Sequence, residues 1–459
     1  MKRNLLYTAV STCLAFTVNA QTGPKPNLVL FLADDCSYYD LGCYGSADSQ
    51  TPNIDRFATE GVRFTKAYQA APMCSPTRHN LLTGIWPVKT GAYPNHTRAK
   101  EGTLSIVQQL KPAGYRVALV GKSHVHPDAV FPWDLYAPLT KSNDINFAAI
   151  DSFINVCNEN HQPFCLFVMS NQPHTPWNKG DQEMFHPEKV KLPPFFVDIP
   201  ETRNDFCKYL AEINYMDNEF GTLLYKIEKY NLTDNSAIVF LSEQGNSFPF
   251  AKWTCYDVGV RSACIVRWPG KIKPGATSDA IIEYVDIVPT FLEIAGTKPI
   301  APLDGKSIVP LLTEECREHK QYTFSLQTTR GIINGSDHYG IRSVADKKYR
   351  YIINLSPEAT FQNAETKGKL FARWKEIAEN DPFAREMTHR YQHRAEVELY
   401  DIENDIYCVN NIANNPENRD ILKQMNQVLT EWMASCGDKG QETEMEALLH
   451  LHRGSNEEK

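Results

Sequence analysis

Four short apolar runs in the first half of the chain each end directly in polar or glycine-rich residues. They cover residues 27–33, 116–120, 164–169 and 237–241. A continuous apolar pattern of this length is typical of parallel strands buried on both faces, whereas half-exposed strands alternate apolar and polar positions. The pattern therefore predicts four central strands of one buried sheet.

Stretches with helical periodicity lie between these strands, including residues 105–113 and 206–230. Strands that alternate with helices indicate an α/β fold with a doubly wound, mostly parallel sheet flanked by helices. In such sheets, ligands bind beyond the carboxyl ends of the strands. The polar residues that follow the four apolar runs are therefore candidates for a single site.

The pattern changes after residue 307, where short β-type segments replace the α/β alternation. Strands are predicted at residues 322–326, 339–344, 349–355 and 397–402. A turn-like sequence joins the second and third of them, and residues 416–435 have one apolar helical face. We predict a smaller C-terminal subdomain made of an antiparallel sheet and a helix. The polar residues after Asp438 are expected to fray.

The first 20 residues resemble a secretory signal peptide. Lys2 and Arg3 precede an apolar stretch, and residues 18–20 offer small side chains for cleavage. No later stretch has the roughly 18 apolar residues of a membrane span. The sequence predicts an exported protein, periplasmic or secreted. We expect four segments: signal peptide (1–20), catalytic α/β domain (21–318), C-terminal α+β subdomain (319–440) and polar tail (441–459).

Composition and net charge exclude one class of partner. The 459 residues carry a net charge of −8, with 42% hydrophobic and 22% charged residues. An acidic balance argues against a nucleic-acid partner, which requires clustered Lys and Arg to neutralise phosphates. The twelve cysteines have no spacing that defines a disulfide framework or a zinc site.

The first and fourth apolar runs end in side chains that suit a hard cation. Asp34 and Asp35 follow the first run. Adjacent carboxylates repel each other unless a cation such as Ca²⁺ or Mg²⁺ lies between them, although a helix cap or turn is an alternative explanation. Glu243 and Gln244 follow the fourth run and would add a carboxylate and an amide oxygen. Zinc is disfavoured because these acids lack His or Cys at ligand spacing.

Cys74 begins a predicted helix and is followed by Pro76 and Arg78. The positive end of the helix dipole favours an anion there. Arg78 lies one turn further on the same face, where its guanidinium would contact residue 74 or an anion bound there. The alternative for Cys74 is a buried structural thiol.

Basic side chains follow the other strands. Lys122 and His124 come after Gly121, and His174 and Lys252 lie in other connections near the same sheet edge. A single histidine is commonly a core or surface residue, but two at strand ends favour a role in the site. Three further histidines near these motifs are interpreted as ordinary residues: His79, His96 and His126.

The spacing Cys-x-Pro-x-Arg resembles the signature of the type I, formylglycine-dependent sulfatases of the alkaline-phosphatase-like superfamily. The other motifs occur in the order expected of that family along nearly the whole mature chain. They are Gly-Lys-x-His at 121–124, Pro-His-x-Pro at 173–176 and the acidic block at 242–245. Residues 121–127 and 131–134 look most like the heparan N-sulfatase (sulfamidase) branch.

The resemblance implies that a maturation enzyme converts Cys74 to formylglycine (3-oxoalanine), whose hydrated aldehyde is the nucleophile. It also implies a Ca²⁺ ion held by Asp34, Asp35, Glu243, Gln244 and Cys74. The residues implied around the sulfate are Arg78, Lys122, His124, His174 and Lys252. His174 or Lys252 would then act as the acid and His124 as the base.

One block departs from the family. The family reads Ser-Asp-Asn-Gly or Ser-Asp-His-Gly, whereas residues 242–245 here read Ser-Glu-Gln-Gly. Relative to Asp-Asn, each change keeps a carboxylate or an amide and adds one methylene. The ligand type is therefore retained, and the reach of both side chains changes.

The expected activity is hydrolysis of sulfate esters or N-sulfate groups in glycans, with N-sulfoglucosamine as a candidate substrate. O-sulfates of galactose or N-acetylhexosamine are the alternative, with Trp177 and Arg342 expected to contact the sugar. A related phosphatase or phosphodiesterase is disfavoured by the cysteine signature and the small number of strand-end histidines. A non-catalytic glycan-binding relative is supported only by the altered acidic block.

Overall fold

The computed structural model describes residues 24–452. The predicted signal peptide and residues 453–459 of the predicted tail lie outside the described residues. The strands are β1 (Asn27–Asp34), β2 (Val62–Tyr68), β3 (Arg116–Gly121), β4 (Leu135–Ala137), β5 (Phe164–Met169), β6 (Ser236–Glu243), β7 (Arg261–Arg267), β8 (Ala276–Ser278), β9 (Ile282–Glu283), β10 (Thr323–Gln327), β11 (Ile341–Ala345), β12 (Tyr349–Asn354) and β13 (Val397–Asp401).

The α-helices are distributed along the whole described chain. They are α1 (Pro52–Thr59), α2 (Cys74–Thr83), α3 (Pro87–Thr90), α4 (Ile106–Leu110), α5 (Phe147–Glu159), α6 (Pro200–Lys229), α7 (Asp257–Val260), α8 (Ile287–Ile294), α9 (Val309–Leu312), α10 (Lys369–Ala378), α11 (Pro382–Gln392), α12 (Arg419–Cys436) and α13 (Gln441–Glu446).

The larger sheet has nine strands within residues 24–452, in the order β4-β3-β5-β1-β6-β7-β2-β8, with β9 also paired to β2. Strands β4, β3, β5, β1 and β6 are mutually parallel. Strand β7 runs antiparallel to both β6 and β2. The predicted doubly wound, mostly parallel α/β sheet is confirmed.

Both faces of this sheet are covered, which explains the continuous apolar runs. In β1, Val29 and Phe31 belong to the core on one face, while Leu28 and Leu30 belong to the core on the other. Phe31 lies edge-on to Phe220 of the long helix α6, with ring centroids 5.2 Å apart. Burial of such side chains is the main favourable contribution to folding here.

The four predicted central strands coincide with β1, β3, β5 and β6 to within two residues at each end. Strands β2 and β7 were not predicted. Strand β2 has the sequence VRFTKAY, in which polar residues interrupt the apolar ones and three positions are partly exposed. The sequence pattern therefore identified the buried centre of the sheet but not its antiparallel flank.

The second sheet has four antiparallel strands in the order β10-β11-β12-β13. All four coincide with predicted segments, and β11 and β12 form the predicted hairpin. Helix α12 packs against this unit, with Trp432 stacked on Phe324 at 5.0 Å between ring centroids. The smaller α+β unit is confirmed, while the exact domain boundaries at 318 and 440 stay predictions.

The expected fraying after Asp438 is wrong for residues 441–452. The Glu444 carboxylate is fully buried and accepts hydrogen bonds from the backbone N–H groups of Thr329 and Arg330, at 2.8 and 3.0 Å. The Tyr93 hydroxyl donates to the carbonyl of Thr443 at 2.8 Å. The prediction was wrong because it rested on polar composition, whereas these polar groups form hydrogen bonds inside the molecule.

The eleven cysteines of the described chain are all free thiols. Across residues 24–452, no helix combines the length and the apolar composition needed to cross a bilayer.

Candidate active site

The carboxyl ends of four neighbouring strands bring the candidate residues together. Asp34 ends β1 and pairs directly with Glu243, which ends β6. Gly121 ends β3, so Lys122 and His124 follow at the same edge. His174 lies in the connection that leaves β5. Residues up to 209 positions apart in sequence thus meet at one edge of the sheet, as the strand pattern predicted.

The backbone turns abruptly just beyond two of these strand ends. Asp35 and Gln244 both have left-handed conformations, with φ of 58° and 43°. Such conformations are uncommon for non-glycine residues and concentrate at functional sites. Here the two turns face each other, and the Gln244 Nε2 donates a hydrogen bond to Asp35 Oδ1 at 2.6 Å.

Cys74 is the first residue of α2, preceded by Met73 in an extended conformation. Its Sγ accepts a hydrogen bond from Gln244 Nε2 at 3.1 Å. Burial raises the pKa of the Cys74 thiol to about 12, and the negative charge of Asp34 adds to that effect. An unmodified Cys74 is therefore a neutral thiol, and the thiolate is the nucleophilic form of cysteine.

Arg78 lies beneath the cleft, one turn along α2 from Cys74. Its side chain is fully buried and forms an ion pair with Glu243 Oε2 at 2.6 Å. A second, longer ion pair joins it to Asp34 Oδ1 at 3.7 Å. The same guanidinium donates to the carbonyl of Lys122 at 2.5 Å. Arg78 therefore ties the ends of three strands to the nucleophile helix.

Two lysines project into the site and neutralise the paired aspartates. Lys122 Nζ forms an ion pair with Asp34 Oδ2, and Lys252 Nζ pairs with Asp35 Oδ2 at 2.6 Å. Burial acts to raise the pKa of Asp34, but the positive charges led by Lys122 outweigh it and hold that pKa well below its usual range. Burial acts to lower the pKa of Lys252, but Asp35 outweighs it and raises that pKa. Asp34 is therefore ionised and Lys252 protonated.

The two predicted histidines both line the cleft and have different partners. His174 Nε2 lies 3.6 Å from Asp35 Oδ2, and its Nδ1 is 2.6 Å from the carbonyl oxygen of Thr175. Because a carbonyl only accepts, Nδ1 carries a hydrogen. His124 Nε2 is 3.0 Å from His96 Nδ1. Burial lowers the pKa of His124 far below its usual value, with the Lys122 charge adding to the effect.

The residues at the strand ends fit a hard divalent cation. Asp34 Oδ1 and Gln244 Oε1 are buried oxygens without a hydrogen-bond partner. Atoms of Asp34, Cys74 and His174 that can ligate a metal lie within 4.8 Å of one another. The oxygens of Asp34 and Gln244 are ligands of the kind that Ca²⁺ and Mg²⁺ prefer, whereas the Cys74 sulfur and the His174 nitrogen are not.

The buried carboxyl group of Glu243 also favours a bound cation. Burial raises its pKa to about 8, even though Arg78 is adjacent. A divalent cation nearby would keep this carboxylate ionised. Three carboxylates (Asp34, Asp35 and Glu243) face three cationic side chains, so an added Ca²⁺ would make the site net positive and suited to an anionic sulfate.

The family assignment follows from comparison with known proteins. The sulfatase family model matches residues 26–297, more than half of the chain. A second model, for the C-terminal part of N-sulphoglucosamine sulphohydrolase, matches residues 245–364. The chain belongs to the sulfatase family. It is therefore an enzyme that hydrolyses sulfate esters or N-sulfates.

Individual relatives agree with this assignment. The sulfatase is 34% identical, over 90% of its length and 81% of the relative's, to an ulvan-active sulfatase of Formosa agariphila. It is similar at 25% identity to human N-sulphoglucosamine sulphohydrolase, over 90% of each chain. Its fold is shared with the crystal structure of yidJ from Bacteroides fragilis, with a TM-score of 0.74, 21% identity, and coverage of 93% of this chain and 99% of that one.

The cleft above Cys74 has a volume of about 600 Å³. Five predicted residues of the sulfatase line it: Cys74, Lys122, His124, His174 and Lys252. Arg78 and the acidic residues lie below its floor, where they are completely buried.

The expected sugar contact at Arg342 is corrected by the structure. Arg342 lies in β11 and is fully buried. Its guanidinium pairs with Asp438, with one N–O distance of 3.1 Å, and donates to the carbonyl of Gln327. The side chain therefore stabilises the C-terminal unit and has no surface to offer a sugar.

Trp177 is also not among the residues that line the cleft. Its ring stacks on Phe248 with centroids 4.7 Å apart, and its Nε1 donates to the carbonyl of Pro173 at 2.9 Å. Trp177 therefore packs on Phe248 and bonds to the segment that carries His174, and its contact with the sugar stays a prediction.

Several cleft residues of the sulfatase were missed by sequence reasoning: Asn95, His96, Trp133, Tyr136, Ser247 and Glu365. Ser247 donates its hydroxyl to Asp35 Oδ2 at 2.7 Å. Glu365 comes from the C-terminal half, and burial raises its pKa to about 7. Two of the six carried a signal in the sequence: His96 lies close to the cysteine motif, and Trp133 lies in the stretch 131–134 that resembles the sulfamidase branch. Nothing in the sequence connected Glu365 to the site.

Proposed function

We propose that this sulfatase removes sulfate groups from glycans by using a formylglycine made from Cys74 together with a bound Ca²⁺ ion. The observation that carries the proposal is the position of Cys74. It begins a buried helix at the floor of a cleft, with Lys122 and Lys252 beside it. A helix N-terminus flanked by two ammonium groups favours a bound anion.

Conversion of the cysteine is supported by its chemistry in this site. The thiol of Cys74 has a raised pKa and is a weak nucleophile in the unmodified chain. Formylglycine at this position supplies a hydrated aldehyde whose hydroxyl is the nucleophile toward sulfur. The proposal therefore requires a formylglycine-generating maturation enzyme as a partner.

The cation would be held by Asp34, Asp35, Glu243 and Gln244, with residue 74 at its edge. Ca²⁺ there supplies positive charge that stabilises the negative oxygens of the reacting sulfate. Gln244 would contribute its Oε1, a buried amide oxygen without a hydrogen-bond partner. Arg78 orients Glu243 from below, and Lys122 and Lys252 bind sulfate oxygens from the sides.

Proton transfer is assigned to the two histidines. The Nδ1–H of His174 is held by the Thr175 carbonyl, so Nε2 would have to take up a second proton, forming an imidazolium, and then give that proton to the leaving group. Burial lowers the pKa of His174, and the negative charge of Asp35 opposes that effect and favours the imidazolium. Lys252 is less suited to that role because its ammonium is held by Asp35. His124 also lines the cleft and is paired to His96, and it would accept the proton of the second hydroxyl when sulfate is expelled.

N-sulfoglucosamine is the candidate substrate that we place first. The match to the C-terminal model of N-sulphoglucosamine sulphohydrolase and the similarity to the human enzyme of that name support it. An O-sulfated sugar is the second candidate, because an N-acetylglucosamine-6-O-sulfatase of Bacteroides thetaiotaomicron is similar at 26% identity. Ulvan is tested as well, because the ulvan-active sulfatase has the higher identity, 34%. The aromatic rings of Trp133 and Tyr136 in the cleft suit the apolar face of either sugar ring.

The first experiment is mass spectrometry of the peptide that contains residue 74, purified from the native host. An aldehyde at that position is the expected result, and a fully retained thiol in an active preparation would refute the proposed nucleophile. The Cys74→Ala protein should keep its unfolding midpoint and lose sulfate release by at least about 1,000-fold, as expected when the nucleophile is removed.

The second experiment identifies the sugar. Sulfate release is measured with N-sulfoglucosamine, galactose sulfates, N-acetylglucosamine sulfates and ulvan oligosaccharides. The highest kcat/KM should be found with N-sulfoglucosamine. A higher value with an O-sulfated sugar would assign the second candidate, and no release from any sulfated sugar by formylglycine-containing enzyme would refute a glycan substrate.

We also propose that the protein is exported. Support comes from the charged and apolar residues of the first 20 positions and the small residues at 18–20. N-terminal sequencing of the protein from its host should begin near Gln21. Recovery in the cytoplasmic fraction with Met1 retained would contradict export.

A further inference from the structure

The last described residues of the chain lie against one wall of the cleft. We call residues 447–452 the C-terminal segment and residues 91–98 the wall loop. Thr97 and Leu451 form an antiparallel β-bridge. The N–H of His452 donates to the His96 carbonyl at 2.8 Å, and the N–H of Arg98 donates to the His450 carbonyl at 3.1 Å. The segment therefore adds a short strand to the wall loop.

Side chains extend this contact on both sides of the bridge. The Thr97 hydroxyl donates to the His450 carbonyl at 2.9 Å, and the His450 ring lies 4.9 Å from that of Tyr93. The His452 ring stacks on His126 at 3.8 Å with an interplanar angle of 8°. Thr97 and Tyr93 are almost completely buried. The wall loop is thus covered from outside by the C-terminal segment.

The wall loop contributes two residues to the cleft. Asn95 accepts a hydrogen bond from the N–H of Ser75, next to the nucleophile, and His96 contacts His124. His96 has a left-handed backbone with φ of 52°, a conformation that persists in non-glycine residues only where neighbours hold it. The hydrogen bond from His452 N–H is made to the carbonyl of this residue.

The same segment also touches a second loop beside the cleft. Gly331 lies so close to Leu448 and Leu451 that a Cβ atom there would be 3.0–3.1 Å from their methyl groups. Two residues further along, Ile333 lines the cleft and is 66% exposed. The C-terminal segment therefore contacts both the wall loop and the loop that carries Ile333.

We propose that the C-terminal segment is a positioning element for the sugar-binding part of the cleft. It fixes His96 and the wall loop, while the sulfate-binding groups Lys122 and Lys252 are held by their aspartates and do not depend on it. The inference rests on the proposed glycan substrate. Both matched family models end at or before residue 364, so neither includes this segment.

The experiment compares two truncations. A chain that stops after His452 loses only residues 453–459 and is the matched control. A chain that stops after Glu446 loses the whole segment. We expect the longer chain to behave as wild type, and the shorter one to lose at least about 10-fold in kcat/KM on N-sulfoglucosamine, chiefly through KM. Hydrolysis of the small aryl ester 4-nitrocatechol sulfate should fall several-fold less than that of the sugar, because any loss through His124, which contacts His96, is shared by both substrates, whereas the loss of sugar positioning is not.

A single substitution tests the same point if the truncated chain does not fold. His452→Pro removes the N–H that donates to His96, and Leu451, with φ of −67° and ψ of 139°, accepts a following proline. His452→Ala keeps that N–H and removes only the stacked ring. His452→Pro should show the sugar-selective loss with faster amide hydrogen exchange in residues 92–99, and His452→Ala should show a smaller loss.

Equal losses on the sugar and the aryl ester would overturn the proposal, since they would indicate general damage. Unchanged KM on the sugar in both the truncation and His452→Pro would overturn it as well. If formylglycine-containing wild type releases no sulfate from any sulfated sugar, the proposed function fails instead. Hydrogen exchange in residues 92–99 then decides the positioning role alone, and unchanged exchange would refute it.

Discussion

Gln244 donates its amide to the Cys74 sulfur at 3.1 Å and to Asp35 at 2.6 Å, so one side chain connects the nucleophile position to the paired aspartates. It does so from a left-handed backbone at the end of β6. The family pattern has Asn or His at this position, and the glutamine found here bonds to both groups at once.

Shortening this side chain should weaken the cation site. In Gln244→Asn the amide stays but its reach falls by one methylene, so it no longer spans to Asp35 and residue 74. We expect Ca²⁺ affinity to fall by at least about 10-fold, a loss typical of disturbed metal-site partners. Isothermal titration of Ca²⁺ into metal-free protein measures it, with Gln172→Asn as the matched control. Equal affinities in wild type and Gln244→Asn would show that the amide does not serve the cation.

Removal of the cation should lower stability as well as activity. Three buried carboxylates lie together, and Asp34 Oδ1 and Gln244 Oε1 have no hydrogen-bond partner without an ion. A cation present at 100 times its dissociation constant stabilises the folded state by about 2.7 kcal/mol. Chelation with EGTA should therefore lower Tm in scanning calorimetry by a few degrees, as expected for a chain of this size.

Adding Ca²⁺ back is the control for chelation. Tm and sulfate release should both recover with Ca²⁺, and recover less with Mg²⁺, which demands a tighter octahedral site. An EGTA-treated enzyme that keeps full activity and an unchanged Tm would contradict a calcium site at these residues.

Arg342 should affect stability without affecting substrate binding. Arg342→Met leaves the buried Asp438 carboxylate without its partner, which costs about 3–5 kcal/mol. Urea unfolding should show this loss, and Arg342→Met combined with Asp438→Leu should recover part of it. KM of the folded enzyme should stay within about twofold of wild type, as expected when no binding contact is removed. A raised KM with unchanged stability would restore the original expectation that Arg342 binds the sugar.

Sequence reasoning located the floor of the site more accurately than its walls. Asp34, Asp35, Cys74 and Glu243 could be placed because they directly follow buried strands or open a helix, and parallel strands end at one edge. Those strands and that helix could be predicted because the pattern of their apolar residues is strong. The floor of the site is therefore a direct consequence of the sheet topology.

The residues of the cleft walls could not be predicted from the apolar pattern of the strands. Glu365 and Ile333 come from loops of the C-terminal half, and the packing of one unit on the other brings them to the cleft. No local periodicity encodes that packing. The prediction for Arg342 was wrong for a related reason. The sequence shows an arginine in a predicted strand but does not show its ion-pair partner, because Asp438 lies 96 residues away.

The buried Glu219 should make stability depend on pH. Its carboxyl group accepts hydrogen bonds from the Ser170 hydroxyl at 2.5 Å and the N–H of Ile145 at 3.3 Å. Burial raises its pKa from the usual 4.5 to about 7, more than those hydrogen bonds lower it. The folded state therefore holds a proton that the unfolded state has released between these pH values.

Glu219 therefore stabilises the folded state at low pH. The contribution of Glu219 to stability is fully present below pH 4.5 and is lost as pH rises through 7. Glu219→Gln keeps acceptor geometry and never ionises. Its free energy of unfolding relative to wild type should rise by about 1–3 kcal/mol between pH 5 and 8, since one pKa unit corresponds to about 1.4 kcal/mol. Urea midpoints at both pH values measure the change, and a difference that is independent of pH would mean that Glu219 keeps an ordinary pKa in the fold.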